Sequence, residues 1–188
     1  MEFDCDQFHA SVVKYLDYAA SHYDTKDTGH NFEHIKRICR CVPRLTAGLD
    51  AALNIERLCA LAAFHGLWPK LRDDASFRQD TKSFLSDLEW SDADIEDLFV
   101  AVSRHFNDSQ TIEEDIIHDA NNLERVGALG IAKAFTVGGA RHQTYEETIG
   151  YCTRNLLEAS FKTPAAQKIA EEAREFAANF LKRLEREL

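Results

Sequence analysis

Proline and glycine are scarce in this chain of 188 residues, which contains only three prolines and eight glycines. Strict alternation of apolar and polar residues, the pattern of a half-buried strand, is almost absent as well. The five cysteines form no CxxC pair, and their odd number argues against a disulfide framework or a zinc knuckle. The sequence therefore favours a helical protein with reduced thiols over a disulfide-rich or strand-rich one.

Long apolar runs and a secretion signal are also missing. No stretch approaches the roughly 18 unbroken apolar residues of a membrane span, and the acidic start, MEFDCDQF, does not resemble a signal peptide. We therefore expect no membrane association and a cytoplasmic location. The formal net charge of −10 disfavours nucleic acid as a partner, because an acidic surface repels phosphate at long range. A small anionic ligand stays compatible, since one metal or arginine can dominate the field inside a pocket.

Apolar residues recur at three- and four-residue steps through most of the chain, which is the spacing of one helix face. We predict about eight helices in a single domain spanning 1–188, with no internal repeat or linker. The segment 55–63 is apolar nearly all round, so we place it at the centre of the domain. The second helix is expected to stop or kink near Pro43, and 68–79 is expected to form a loop.

Four side chains mark the beginnings of helices. Thr111 and Thr144 are each followed three residues later by glutamate, which is the capping-box pattern. Ser91 precedes an acidic first turn, and Thr163 precedes a proline, which suits the first helical position. These signals predict helix starts at all four places.

Histidines and one aspartate in three segments are suited to chemistry. His30 and His34 are four residues apart and share a helix face, although His30 as a cap and His34 as a packed side chain would explain the same pattern. His65 closes the apolar helix and needs a partner, either a metal ion or a carbonyl group. Asp119 lies in an apolar segment and requires a cation or several donors, or else caps a helix. His105 is a fourth candidate, and it equally suits a helix C-terminus.

One histidine or aspartate on each of three helices is a sensible site for a hard divalent ion. Imidazole and carboxylate ligands fit Mn, Fe, Ni, Mg or Zn and leave positions open for water and substrate. Thiolate ligands would have indicated structural zinc instead. The residues alone thus predict a His/His/Asp site in a helical bundle.

The order of these segments resembles the HD superfamily of metal-dependent phosphohydrolases, and more narrowly its small bacterial members of the YedJ type. The family patterns HDxxH, ALLHD and DADxLDxxGAxGIAR have counterparts at 30–34, 62–66 and 119–133, which here read HNFEH, AAFHG and DANNLERVGALGIAK. The resemblance covers nearly the whole chain, and its last segment is the most specific. It implies an all-α fold, a single compact HD domain built as a helical bundle.

The resemblance also implies a role for each matched position. His34, His65 and Asp119 match metal ligands, so that Asp119 counts among the catalytic residues. In a hydrolase, His30 and His105 would transfer protons or contact phosphate. Basic side chains near these segments would neutralise the charge of the substrate, and we assign this role to Lys36, Arg37 and Arg104.

The metal-ligand set is incomplete compared with the family. Where the family has His-Asp, this chain has His65 followed by Gly66, and glycine supplies no ligand. Asn121 replaces the second aspartate of the DAD stretch. A two-metal site is therefore not expected. The alternatives are one divalent metal ion on the three matched ligands, a carboxylate relocated from Asp73 or Asp74, or loss of the metal.

Three functions follow from these alternatives. The first is metal-dependent hydrolysis of a nucleotide or another small phosphorylated metabolite. The second is a binding or regulatory module that keeps the HD fold without turnover, and the third is an HD enzyme with a non-phosphate reaction. In each case we expect a small-molecule ligand, and the sequence is compatible with a homodimer.

Overall fold

The computed structural model describes residues 3–24, 29–104 and 108–188. In these ranges the chain forms ten α-helices and one short 3₁₀ turn, and no strand. The helices are α1 (Cys5–Ala20), α2 (Phe32–Thr46), α3 (Ile55–Phe64), α4 (Trp68–Asp73), α5 (Ala75–Asp87), α6 (Asp92–Ser103), α7 (Ile112–Leu123), α8 (Gly127–Ala140), α9 (Tyr145–Glu158) and α10 (Pro164–Glu185). The all-α prediction is confirmed. None of these described helices is long and apolar enough to cross a membrane.

Helix α3 lies at the centre of the fold, as its apolar sequence predicts. Every residue from Leu58 to Phe64 is fully buried, and the helix packs against α1, α2, α6 and α7. A smaller core cluster joins α8, α9 and α10 around Ala134, Ile149 and Leu181. Because α10 also contacts α2 and α7, it connects the two clusters. All five cysteines are free thiols.

The four predicted helix starts are all observed. In each case the side-chain oxygen accepts a hydrogen bond from the backbone N–H three residues further on, at Ser91, Thr111, Thr144 and Thr163. The Thr144 box is complete, because the Glu147 carboxylate also accepts the N–H of Thr144. At the other predicted box, the Glu114 carboxylate instead turns inward and pairs with Arg104 at 2.8 Å.

Helix α2 continues through Pro43 to Thr46, so of the two expectations, a stop or a kink near the proline, the stop at Pro43 is wrong. Val42 and Leu45 on the last turn are fully buried. Their packing holds this turn in helical form, although the proline removes one backbone donor. The Thr46 hydroxyl donates to the carbonyl of Pro43 at 3.1 Å and satisfies one acceptor at this end.

The segment 68–79, expected to be a loop, contains α4 and the start of α5. Leu71 and Phe77 from this segment are buried in the core, so packing overrides its polar composition. Asp74 separates the two helices, and its carboxylate accepts the backbone N–H of Phe77 at 2.9 Å. Asp73 pairs with its neighbour Arg72 on the surface. Both carboxylates therefore have local partners.

We expect Asp74→Ala to lower the free energy of unfolding by about 1 kcal/mol, because it removes the N-cap of α5. Asp73→Ala is the matched control: its ion pair with Arg72 lies on the surface, so the free energy of unfolding should stay nearly unchanged. Urea denaturation followed by circular dichroism measures both. Equal effects of the two substitutions would show that the cap contributes nothing specific.

Candidate functional site

A buried carboxylate at the C-terminal end of α7 organises the candidate site. Glu124 is only 4% exposed. The Nδ1 atom of His34 on α2 lies 2.7 Å from its Oε2, and Nε of Arg37 donates to its Oε1 at 2.6 Å. The ammonium group of Lys133 on α8 lies 3.3 Å from the same Oε2. One carboxylate thus links α2, α7 and α8.

The protonation states in this cluster follow from its contacts. Burial alone raises the pKa of the Glu124 carboxyl, but hydrogen bonds from His34 and Arg37 and the charge of Lys133 outweigh it and hold the pKa at about 2. Burial lowers the pKa of His34, against the opposing effect of its hydrogen bond to Glu124. At neutral pH we therefore assign an ionised Glu124 that accepts Nδ1–H of a neutral His34.

The structure brings three of the sequence-predicted histidines together. The ring centroid of His34 lies 5.6 Å from that of His65, which follows the last turn of α3, and 6.0 Å from that of His30. His34 and His65 are buried, whereas His30 is exposed. His105 lies outside the described residues.

Asp119 is directed to the beginning of α10 and serves as an anchor there. Its fully buried carboxylate accepts the backbone N–H of Thr163 at 2.7 Å, the Thr163 hydroxyl at 2.8 Å and the backbone N–H of Lys162 at 2.9 Å. Nδ1 of His118 lies 2.9 Å from the same carboxylate. Of the explanations for an aspartate in an apolar segment, the structure supports several hydrogen-bond donors.

The predicted ligand set of His34, His65 and Asp119 is not assembled. Nowhere in the described ranges do three or more His, Cys, Asp or Glu side chains form a group that could hold a metal ion. The oxygens of Asp119 are engaged by hydrogen-bond donors, and those of Glu124 face Arg37 and Lys133. The donors present therefore do not fit a divalent metal with three protein ligands.

Tyr23 occupies the space beside Gly66, at the end of α3. Its hydroxyl donates to the carbonyl of Ala63 at 2.9 Å and accepts the N–H of Gly66 at 3.1 Å. Burial raises the pKa of this phenol, so the hydroxyl stays protonated and links the end of α3. A Cβ atom on Gly66 would lie 3.0 Å from the Tyr23 ring, so a larger residue here needs that ring to move.

The three basic residues assigned to substrate binding are each paired with a carboxylate. Lys36 bonds Glu33 on the exposed side of α2 at 2.7 Å, and Arg37 is held by Glu124 as described. Arg104 bonds both oxygens of the fully buried Glu114. These charges are already compensated within the fold.

A cleft of about 420 Å³ opens beside His30 and Glu124, between α7, α8 and α9. Its volume lies in the range of small-molecule sites. Helical periodicity explains its walls, because lining residues recur at three- and four-residue steps on each helix. The α8 wall carries Lys133, Val137 and Arg141, and the α9 wall carries Tyr151, Arg154 and Asn155.

Positive charge predominates in this cleft. Four basic side chains line it, Arg125, Lys133, Arg141 and Arg154, against the two acids Glu124 and Glu158. The three guanidinium groups form no ion pair with any carboxylate in the described part of the chain. The amide oxygens of Asn155 and Asn122 hold Arg125, at 2.8 and 3.2 Å. Guanidinium groups placed in this way are suited to bind phosphate.

The sequence did not single out these cleft residues as a site. Arg125 and Lys133 lie inside the family-like segment 119–133, which was the available signal for them. Arg154 follows Tyr151 by one helical turn, but nothing in the sequence shows that α9 faces α8 here. Glu124 lies in the same segment, and the sequence did not mark it as a site residue.

Several solved structures share this fold. The Lin1889 protein from Listeria innocua superposes with a TM-score of 0.74 at 22% identity, with 95% of each chain covered. An HD-superfamily hydrolase from Bacillus thuringiensis gives 0.71 at 18% identity, over 96% of this chain and 97% of that one. YpgQ from Bacillus subtilis, crystallised in complex with ADP, gives 0.70 at 21% identity, over 95% and 97%. The chain therefore has an HD-like fold.

Sequence comparison matches a smaller part of the chain than the comparison of structures does. The uncharacterised protein YpgQ from Bacillus subtilis (strain 168) is 32% identical over 84 residues. This match spans 42% of the present chain and 41% of that protein, less than half of each. No protein-family model matches the chain.

Gly66→Asp is expected to destabilise the protein, because the new Cβ would meet the Tyr23 ring. It is not expected to create a tight Mn²⁺ site, because the new carboxylate beside His65 would lack further protein ligands. Gly66→Ala separates the steric effect from the carboxylate, and each should cost about 1–3 kcal/mol of unfolding free energy. Urea denaturation and calorimetric titration with Mn²⁺ measure the two effects. Micromolar Mn²⁺ binding by Gly66→Asp would show that Gly66 alone limits metal binding.

Glu124 and His34 should both make stability fall in acid. The carboxyl pKa is about 2 in the folded chain against 4.5 unperturbed, so its contribution is present above about pH 4.5 and is lost as pH falls toward 2. The lowered pKa of His34 acts in the same direction below about pH 6.5, because the unfolded chain takes up the proton first.

Urea midpoints measured from about pH 8 down to about pH 3 test this dependence. Glu124→Gln should lower the midpoint at neutral pH and flatten the acid limb. Glu158→Gln, a change of an exposed acid in the same cleft, should keep the wild-type slope. An unchanged slope in Glu124→Gln would contradict the assigned pKa.

Proposed function

We propose that this chain is an HD-fold binding module for a nucleotide or another small phosphorylated metabolite, and that it binds this ligand without a divalent metal. The binding site is the cleft between α7, α8 and α9. The observation that carries the proposal is the set of three guanidinium groups there that pair with no carboxylate among the described residues, in a chain whose net charge is −10.

Arg125 is the principal anchor in this proposal. Its guanidinium is held by two neutral amide oxygens, from Asn122 and Asn155, which fix its orientation without neutralising its charge. A phosphate group that approaches it therefore displaces no competing carboxylate. Arg154 adds a second positive charge on the α9 wall, and Arg141, where α8 ends, adds a third. Lys133 is paired with Glu124. Preorganised cations of this kind favour a polyanionic group over a single carboxylate.

The remaining walls suit the rest of a nucleotide. Tyr151 and Val137 line the cleft and offer an aromatic face and an aliphatic surface. Tyr151 is 47% exposed, so its ring is accessible for stacking against a base. The complex of YpgQ with ADP supports a nucleotide as the ligand class, since that protein has the same fold.

Metal-dependent phosphohydrolysis is the second candidate. It is favoured by the adjacent His34 and His65 rings and by the fold shared with an HD-superfamily hydrolase. It requires ligands besides these histidines, whereas Glu124 is neutralised by Arg37 and Lys133. The binding proposal does not require Glu124 to leave Arg37 and Lys133 in order to bind a metal ion.

Isothermal titration with ADP, ATP and inorganic phosphate, in EDTA, tests the binding proposal. We expect binding of at least one nucleotide in EDTA and a loss of about tenfold or more in affinity in Arg125→Met, which removes a charge-assisted contact. Arg72→Met, a change of an exposed arginine outside the cleft, should leave the affinity unchanged.

The two candidates separate in the same preparation. Nucleotide binding that disappears in EDTA, together with phosphate release on addition of Mn²⁺, would favour the hydrolase over the binding module. Equal nucleotide affinities of wild type and Arg125→Met would remove the cleft from the proposal.

A further inference from the structure

The two amides that hold Arg125 are themselves buried, since Asn122 and Asn155 are each 6% exposed. They bind different nitrogens of the guanidinium: Nη1 donates to Oδ1 of Asn122, and Nη2 donates to Oδ1 of Asn155. Contacts at two separate nitrogens fix the plane of the group. One contact alone would leave the guanidinium free to rotate about that hydrogen bond.

The orientation of the Asn122 amide follows from its partners. Its Nδ2 donates to the carbonyl oxygen of Ser160 at 3.1 Å, and that oxygen can only accept. On the other side Nη1 of Arg125 can only donate, so the atom that faces it must be Oδ1. These two contacts decide independently that the oxygen of Asn122, and not its nitrogen, is directed toward Arg125.

His118 binds the same amide nitrogen, one helical turn earlier on α7. Its Nε2 lies 3.1 Å from Nδ2 of Asn122. Because Nδ2 only donates, Nε2 must accept, which leaves the proton of the ring on Nδ1. Nδ1 lies 2.9 Å from Oδ1 of Asp119 and donates to it. The buried ring of His118 is therefore held on both sides, and its acceptor atom holds Asn122.

We propose that His118 is a positioning residue for ligand binding: it holds the Asn122 amide in place, and through that amide it orders the guanidinium of Arg125. A chain of hydrogen bonds thus runs from the beginning of α10, through Asp119, His118 and Asn122, to the cation that lines the cleft. A long side chain that is ordered in advance loses less freedom when a ligand binds to it. This consequence for affinity rests on the proposed function, whereas the ordering is a property of the chain without ligand.

Two substitutions of His118 separate its two contacts. The amide of glutamine reaches the place of Nε2, so His118→Gln keeps an acceptor for Asn122 and loses the donor to Asp119. The shorter amide of asparagine ends near the place of Nδ1, so His118→Asn keeps a donor to Asp119 and loses the contact with Asn122. In both variants Asp119 keeps the backbone donors of Lys162 and Thr163. The pair is therefore matched except for the link to Asn122.

Relaxation of the arginine ¹⁵Nε–H groups measures the order of Arg125 in the chain without ligand, and Arg125→Met assigns its signal. We expect Arg125 to be as ordered in His118→Gln as in wild type, and clearly less ordered in His118→Asn. Arg104, which is held by Glu114, is the internal reference and should not change. An Arg125 that is as ordered in His118→Asn as in wild type would overturn the proposal, whether or not a nucleotide binds.

Titration with ADP measures the consequence for affinity. His118→Asn should lose about threefold to tenfold, which corresponds to ordering one long side chain on binding, and His118→Gln should bind as wild type does. In an Arg125→Met background His118→Asn should have no further effect. An equal loss in that background would show that His118 acts on the fold and not through Arg125, and would overturn the proposal.

Failure of the binding module itself has a different signature. Equal ADP affinities of wild type and Arg125→Met would reject the cleft as the binding site, and the relaxation measurement would still decide the role of His118. Circular dichroism checks the fold of each variant. If His118→Asn does not fold, Asn122→Ala breaks the same chain at its next link. It should lower the order of Arg125, and an unchanged order in this variant would equally overturn the proposal.

Discussion

The buried negative charge of Glu124 must be compensated, and the groups that compensate it fix the geometry of the site. An ionised carboxylate removed from water is strongly unfavourable unless hydrogen bonds and opposite charges replace its hydration. Here the compensating groups come from two other helices: His34 and Arg37 from α2 and Lys133 from α8. The contacts that neutralise Glu124 therefore hold α2, α7 and α8 in position around the mouth of the cleft. The same contacts occupy the oxygens that a metal ion would need.

Asp119, another buried acid on α7, has a different structural role from Glu124. Asp119 and Glu124 are five residues apart, which places them about 140° apart around a helix axis. The first faces α10 and holds the backbone at Thr163, whereas the second faces α2 and α8. Asn121 lines the cleft on the same side as Glu124. The two acids thus fix opposite sides of one helix, and the residue exposed to the cleft between them is a neutral amide.

Local patterns predicted the helices because helix formation depends on near neighbours. The cap at Thr163 and the buried run from Leu58 to Phe64 were readable from a few adjacent residues. The adjacency of His34 and His65 followed from the family-like order of segments. By contrast, the sequence did not show that Asp119 faces α10, that Tyr23 fills the space beside Gly66, or that α2 continues beyond Pro43. Each of these depends on a tertiary contact between residues distant in the chain, which local spacing does not encode.

The group that holds each arginine distinguishes a structural arginine from the proposed binding arginine in this protein. Arg104 is held by the carboxylate of the buried Glu114, so its charge is already compensated within the fold. Arg125 is held by two amide oxygens, which orient a guanidinium equally well but leave its charge for a ligand. Because the chain as a whole is acidic, an anion is repelled at long range and is attracted only once it is within the cleft. In the proposed site, selectivity for a compact, highly charged group such as phosphate would follow from that short range, since a diffuse or weakly charged anion would gain too little from the cleft to offset the repulsion outside it.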